Sequence, residues 1–170
     1  YSLASVTVAV TDNDNASTLS ISDGSATEGS TISFVVSLNT ISEQNVTFDW
    51  TTSNNTAIAG SDYTAGSGNN VTISAGSTTT TITVETTNDS LDEVNETFTV
   101  TLSEERHAEL SASTVTGTIT DNDDPPTVTL SESGSPLTEA GGVSTITAIL
   151  SAVSSQTVTI NLAFSGTATH

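Results

Sequence analysis

Cysteine is absent from the chain. No disulfide framework, zinc–thiolate centre or thiol nucleophile can therefore exist. The compartment stays open on this count, because secreted proteins can also lack cysteine. Basic residues are nearly absent too: Arg106 is the single strong cation, and lysine does not occur. Against it stand 20 acidic residues among 170, for a formal net charge of -19. Nucleic acids and anionic membrane surfaces are recognised by Lys/Arg clusters, so this chain repels both. It attracts cations, and its like charges oppose compaction unless something neutralises them. No apolar run approaches the length of a membrane span, and no signal peptide is seen. The strand pattern is already under way at Tyr1, consistent with a leader that has been cut away. Hydrophobic content is 34% and aromatic content 4%. Both are low, as in disordered tracts; disordered tracts, however, do not sustain the alternation described next.

What is present is a repeated phrase. Val6-Thr7-Val8-Ala9-Val10-Thr11-Asp12-Asn13-Asp14 returns as Val115-Thr116-Gly117-Thr118-Ile119-Thr120-Asp121-Asn122-Asp123, an offset of 109 residues (121 minus 12). Each copy is an alternating strand that runs into carboxylates. A repeat of this length is one small β-domain, so the chain reads as part of a tandem array.

Period-two alternation supports an all-β fold. Ile32, Phe34, Val36 and Leu38 share one strand face, and Val46, Phe48 and Trp50 another. Val71 and Ile73, Ile82 and Val84, then Phe98, Val100 and Leu102, then Val115 and Ile119 continue the pattern, with Ser and Thr facing outward. Turn signals such as Asp23-Gly24, Gly66-Ser67-Gly68 and Ala75-Gly76-Ser77 separate the runs. About seven short strands over about 110 residues predict a two-sheet sandwich.

Three pieces are expected. Residues 1–14 are the last strand of a preceding copy, 16–124 a complete domain, and 127–170 the first half of a following copy, after Pro125-Pro126. Val128-Thr129-Leu130-Ser131 matches Leu19-Ser20-Ile21-Ser22; Thr138-Glu139 matches Thr27-Glu28; Ile146, Ala148 and Leu150 match Phe34, Val36 and Leu38; Thr167-Ala168 matches Thr56-Ala57. A partial sandwich exposes sheet edges and apolar face. The natural chain is therefore expected to be longer, or partial copies from neighbouring chains to complement one another.

Candidate ligand acids of the complete copy fall at four places: Glu28; Asp62 in Gly60-Ser61-Asp62-Tyr63; Asp89, Asp92, Glu93 and Glu96, with Asn88, between two strands; and Asp121, Asp123 and Asp124, with Asn122, at the exit. Sandwich loops cluster at two ends, so the loop at 88–96 and the exit at 121–124 can lie together. Converging carboxylates without Lys or Arg either have raised pKa values or hold a cation. An all-oxygen set is the chemistry of Ca²⁺; Mg²⁺ demands stricter geometry, and softer metals want His or Cys. The spacing is not that of an EF-hand, whose sixth loop position is Gly; here it is Ser17 or Pro126. The alternative is a set of solvated loop acids that keep the protein soluble.

In order and spacing, Thr27-Glu28-Gly29, Ala59-Gly60-Ser61-Asp62-Tyr63-Thr64, Asn88-Asp89-Ser90-Leu91-Asp92-Glu93-Val94-Asn95-Glu96-Thr97-Phe98 and Thr118-Ile119-Thr120-Asp121-Asn122-Asp123 resemble the Calx-beta domain. The resemblance covers nearly all of 16–124. It implies a seven-stranded immunoglobulin-like sandwich with Ca²⁺ in loops at its C-terminal end. Such domains occur in sodium/calcium exchangers, in integrin β4 and in arrays within large bacterial surface proteins. Carried over by motif, its metal positions fall on Glu28, Asp62, Asn88, Asp89, Glu93, Glu96, Asp121, Asn122 and Asp123. Asn88 and Asn122 stand where the exchanger domains carry acids, which implies fewer ions or weaker affinity. The flanking copies keep only Asp12, Asn13 and Asp14, and Glu139.

Enzyme activity is not expected. His107 lies beside Arg106 in an acidic loop, His170 is terminal, and no nucleophile elbow is present. A glycosidase carboxylate dyad would want aromatic cleft walls, and Trp50 reads as core. The expected role is a calcium-stiffened spacer of an extracellular or cell-surface protein that serves adhesion. Its partners are calcium ions and neighbouring repeats, and other copies of the chain if strands are shared. A calcium sensor and a strand-sharing filament subunit are the alternatives.

Overall fold

Outward Thr and Ser alternating with inward aliphatic residues build two facing sheets. The computed structural model describes residues 5, 7–8, 16–138 and 140–166. Asp12, Asn13, Asp14, Glu139 and residues 167–170 lie outside these, and with them the strand expected over 1–14 and the Thr167-Ala168 match. Eleven strands are described: β1 (Thr18–Ile21), β2 (Gly24–Thr27), β3 (Thr31–Leu38), β4 (Val46–Asn54), β5 (Ser67–Ile73), β6 (Thr79–Glu85), β7 (Glu96–Arg106), β8 (Glu109–Leu110), β9 (Thr114–Thr120), β10 (Val128–Ser133) and β11 (Thr145–Leu150). There is no helix among the described residues.

One sheet has the order β6-β3-β1-β8, the other β2-β9-β7-β4-β5. The alternating runs named from the sequence fall on β3, β4, β5, β6, β7 and β9; β1 holds the Leu19-Ser20-Ile21 segment, and β2 and β8 are two further short segments. The first of these exists because the chain changes sheets. β1 pairs antiparallel with β3, and β2 pairs parallel with β9. At the crossing, Asp23 Oδ1 accepts a hydrogen bond from the Thr116 amide at 2.8 Å. That bond anchors the crossing to β9.

Between the sheets lie Leu19, Ile32, Phe34, Val36, Val46, Phe48, Phe98 and Val100, all with no exposed surface. Tyr63 stacks on Phe98 with centroids 4.3 Å apart, and Phe34 meets Phe98 edge-on at 6.1 Å. Gly117 pairs with Phe98 across β9 and β7. A Cβ there would come within 2.4 Å of the Phe98 ring, so the ring occupies the space a side chain would need. Trp50 departs from its expected place in the core. The β4–β5 register shifts between Phe48 and Trp50. The indole is only half-buried and lies over Gly66 and Gly68 at the core's margin.

β10 and β11 form a separate antiparallel pair. Val128 faces Leu150 and Leu130 faces Ala148, the register in which Leu19 faces Leu38 and Ile21 faces Val36. Their apolar side chains, including Leu130, Ile149 and Leu150, are exposed.

Candidate metal centre

Strand register alone brings the acidic loops to one end of the sandwich. β7 and β9 are antiparallel, with Glu96 opposite Ile119, so the 86–95 loop lies beside the exit after Thr120. β2 runs parallel to β9 with Thr27 opposite Thr120, so Glu28 emerges next to Asp121. The Glu28 amide donates to the Thr120 carbonyl at 3.0 Å. β4 ends with Asn54 opposite Phe98, which delivers the 58–62 turn to the start of β7. That turn is closed by the Asp62 carboxylate, whose Oδ2 accepts the Ile58 amide at 2.6 Å. The Thr87 amide then donates to the Asp62 carbonyl at 2.9 Å, tying this turn to the 86–95 loop.

The result is a cleft lined by Glu28, Asp62, Asp89, Glu93, Glu96 and Asp121, together with Ser61, Thr87, Val94 and Ile119. Two groups of three stand out. Glu28, Asp121 and Asp123 each offer a carboxylate oxygen within 4.8 Å of the others, and so do Asp62, Glu93 and Glu96. Asp89 lines the same cleft, its Oδ1 accepting the Leu91 amide at 2.8 Å.

The two asparagines meet each other. Asn122 Nδ2 donates to Asn88 Oδ1 at 3.2 Å and lies 3.4 Å from the Glu28 carbonyl; Asn88 Nδ2 donates to the Asp89 carbonyl at 2.9 Å. Gly29 lets this happen. Its φ is 73°, and a Cβ would sit 2.8 Å from Asn88 Cβ.

All nine residues singled out by sequence are thus at one end, seven as carboxylates and two as a bridging amide pair. Asp92 and Asp124 do not join them: Asp92 is buried against a different segment, and Asp124 is exposed. Thr87 and Ser61 were not singled out, because nothing in their local sequence distinguishes them from the many other hydroxyl residues.

Electrostatics here are uncompensated. Arg106 closes β7 at the end opposite Glu96, ten residue steps or about 33 Å away along an extended strand. The acids therefore perturb one another. Desolvation by burial, then a hydrogen bond to Asp62 and the charges of Asp62 and Glu93, push Glu96 up to about 7. Burial, then Asp62, Asp89 and Asp121, raise Glu93. Burial first, then the close Asp123 carboxyl and the charge of Asp121, raise Glu28.

Among the described residues, three buried side-chain oxygens lack any hydrogen-bond partner: Glu28 Oε1, Asp121 Oδ1 and Asp123 Oδ2. All belong to one group. Unsatisfied buried oxygens are costly, and a cation among them removes that cost. The donors are all oxygen and mostly charged, which fits a hard divalent ion of the Ca²⁺ type.

Residues 12–123 match the family model of the Calx-beta domain. Solved structures of similar fold include the apo form of the Calx CBD1 domain, at 17% identity and a TM-score of 0.58, covering 64% of this chain and 100% of that one. The calcium binding domain CBD12 of CALX1.1 matches at 18% and 0.56, covering 64% and 47%. The Calx CBD2 domain matches at 16% and 0.54, covering 60% and 85%. At these identities the likeness is one of fold. No curated protein matches by sequence. On the strength of the family match over 12–123, the chain belongs to the Calx-beta domain family.

Proposed function

We propose that this chain is a calcium-binding structural segment, a spacer whose repeats are stiffened by Ca²⁺ at their junctions. The carrying observation is the pair of carboxylate triads in one cleft, one of them with three orphaned buried oxygens. One ion sits among Glu28, Asp121 and Asp123, and a second among Asp62, Glu93 and Glu96, with Asp89 lining the same cleft. The Asn88–Asn122 pair closes the rim. The cleft includes the exit to the next copy, so ions bound there hold that exit against the sandwich, and Pro125-Pro126 restricts what remains. The complete copy is read as an immunoglobulin-like unit of seven principal strands, one in a tandem array, with no catalytic role. The setting is read as extracellular or cell-surface, where ambient calcium suits sites of this kind.

Calorimetric titration tests the reading. The parent should take up two Ca²⁺ per chain and melt several degrees higher with Ca²⁺ than in EDTA, since ligand binding to the folded form adds about 2.7 kcal/mol at a hundred times Kd. Asp62→Ala and Asp121→Ala should each lose one ion. A parent with no calcium heat and an unchanged melt would refute it. Strand sharing between chains is a second reading, favoured by the exposed apolar side chains of β10 and β11. A discrete monomer by size measurement argues against it.

A further inference from the structure

Asp92 is 5% exposed, and it does not line the acidic cleft. Its neighbours come from the segment after β11. Ser154 Oγ donates to Asp92 Oδ2 at 2.5 Å, and Gln156 Nε2 donates to Asp92 Oδ1 at 3.1 Å. The Ser155 amide and hydroxyl both reach the Asp92 carbonyl, at 3.0 and 3.1 Å. Gln156 Nε2 also reaches the Glu93 carbonyl at 3.2 Å. The turn itself is internally closed, the Gln156 amide donating to Ser154 Oγ at 3.0 Å. A hydroxyl and an amide thus satisfy both carboxylate oxygens, and the backbone beside them is held as well.

The same turn exists in the complete copy. Val153-Ser154-Ser155-Gln156-Thr157-Val158-Thr159-Ile160 lines up with Ile41-Ser42-Glu43-Gln44-Asn45-Val46-Thr47-Phe48 at an offset of 112 (154 minus 42), the offset that relates Leu150 to Leu38. There the Gln44 amide donates to Ser42 Oγ at 3.1 Å, and Gln44 is exposed.

We propose that the Ser-x-Gln turn is the docking element between successive copies, and that its partner is the Asp92-type carboxylate on the copy before it. Ser154 and Gln156 show the joined state. The exposed Gln44 side chain has no hydrogen-bond partner among the described residues, and Ser42 and Gln44 form the matching surface, whose occupant is another repeat of this family carrying an acid at the Asp92 position. The latch grips the Glu93 carbonyl, so it joins the following copy to the loop that supplies the cleft. Only its recurrence along an array rests on the spacer reading; the contact itself needs no metal.

Double-label electron spin resonance on the full chain tests it, since no native cysteine interferes. Labels go on Ser77→Cys in the complete copy and Thr147→Cys on β11, both exposed. The parent should give one narrow distance distribution. Gln156→Glu sets a carboxylate against Asp92, and Asp92→Ala removes the acceptor. Each should broaden the distribution about twofold, because small polar interfaces otherwise permit relative motion. Gln44→Glu, the same change at the equivalent turn, should leave it narrow. The series is run in Ca²⁺ and in EDTA. Broadening by Gln156→Glu in both, even with a parent indifferent to calcium, upholds the latch and counts only against the spacer reading. A broad parent, or equal effects of Gln156→Glu and Gln44→Glu, overturns the latch.

Discussion

Glu96 shows how a single carboxyl ties the cleft to solution conditions. Its pKa is pushed up to about 7, first by desolvation and then by Asp62 and Glu93. A folded acid with a raised pKa keeps its proton where the unfolded chain has lost it. Stability of the metal-free protein therefore falls as pH rises from 4.5, the ordinary value, through about 7. Glu28 and Glu93 shift in the same direction. In EDTA the melting temperature should be higher at pH 5 than at pH 7.5, and Glu96→Gln should shrink that difference. Calcium affinity should move the opposite way, strengthening as pH rises through this window, because protons and cation compete for the same oxygens. A flat apo melting profile across the window would contradict this account. These acids were legible in sequence because each sits in a motif of fixed order. Asp92 was legible only as one more loop acid. In an irregular loop no period assigns a side chain to a direction, and its partners are 62 to 64 residues further on.

Strands carry a period, and so they were read more fully than loops. The face of Ile32, Phe34, Val36 and Leu38 is buried along the whole of β3. The pattern departs at Trp50 where β5 and β7, the strands on either side of β4, each carry one residue more than β4 between paired positions, and composition does not announce such a bulge. The short β2 and β8 lack a run long enough to show alternation. Gly117 is the test case at this level. Gly in the middle of a strand weakens it, yet here it leaves room for the Phe98 ring. Gly117→Ala should destabilise by about 1–3 kcal/mol through overpacking. Chemical denaturation reads this directly. A loss below about 0.5 kcal/mol would mean the ring moves aside freely, contrary to its packing between Phe34 and Tyr63.

Charge acts over the entire protein. At -19, with Arg106 as the lone strong cation, mutual repulsion is a general term that ions in solution can screen. In EDTA the melting temperature should climb between about 0.01 M salt, where the Debye length is about 30 Å, and about 1 M, where it is about 3 Å. With calcium present the climb should be smaller, because the densest group of charges is then already compensated. Equal salt responses with and without calcium would place the repulsion elsewhere. Finally, the Tyr63 ring is one residue from Asp62 and lies flat against Phe98, itself two residues from Glu96. Two walls of the acidic cleft are thus wired to one stacked aromatic pair in an asymmetric interior. On the calcium reading, the near-ultraviolet circular dichroism of this pair should change when Ca²⁺ is added, with no added dye; a spectrum unchanged by calcium would count against the coupling.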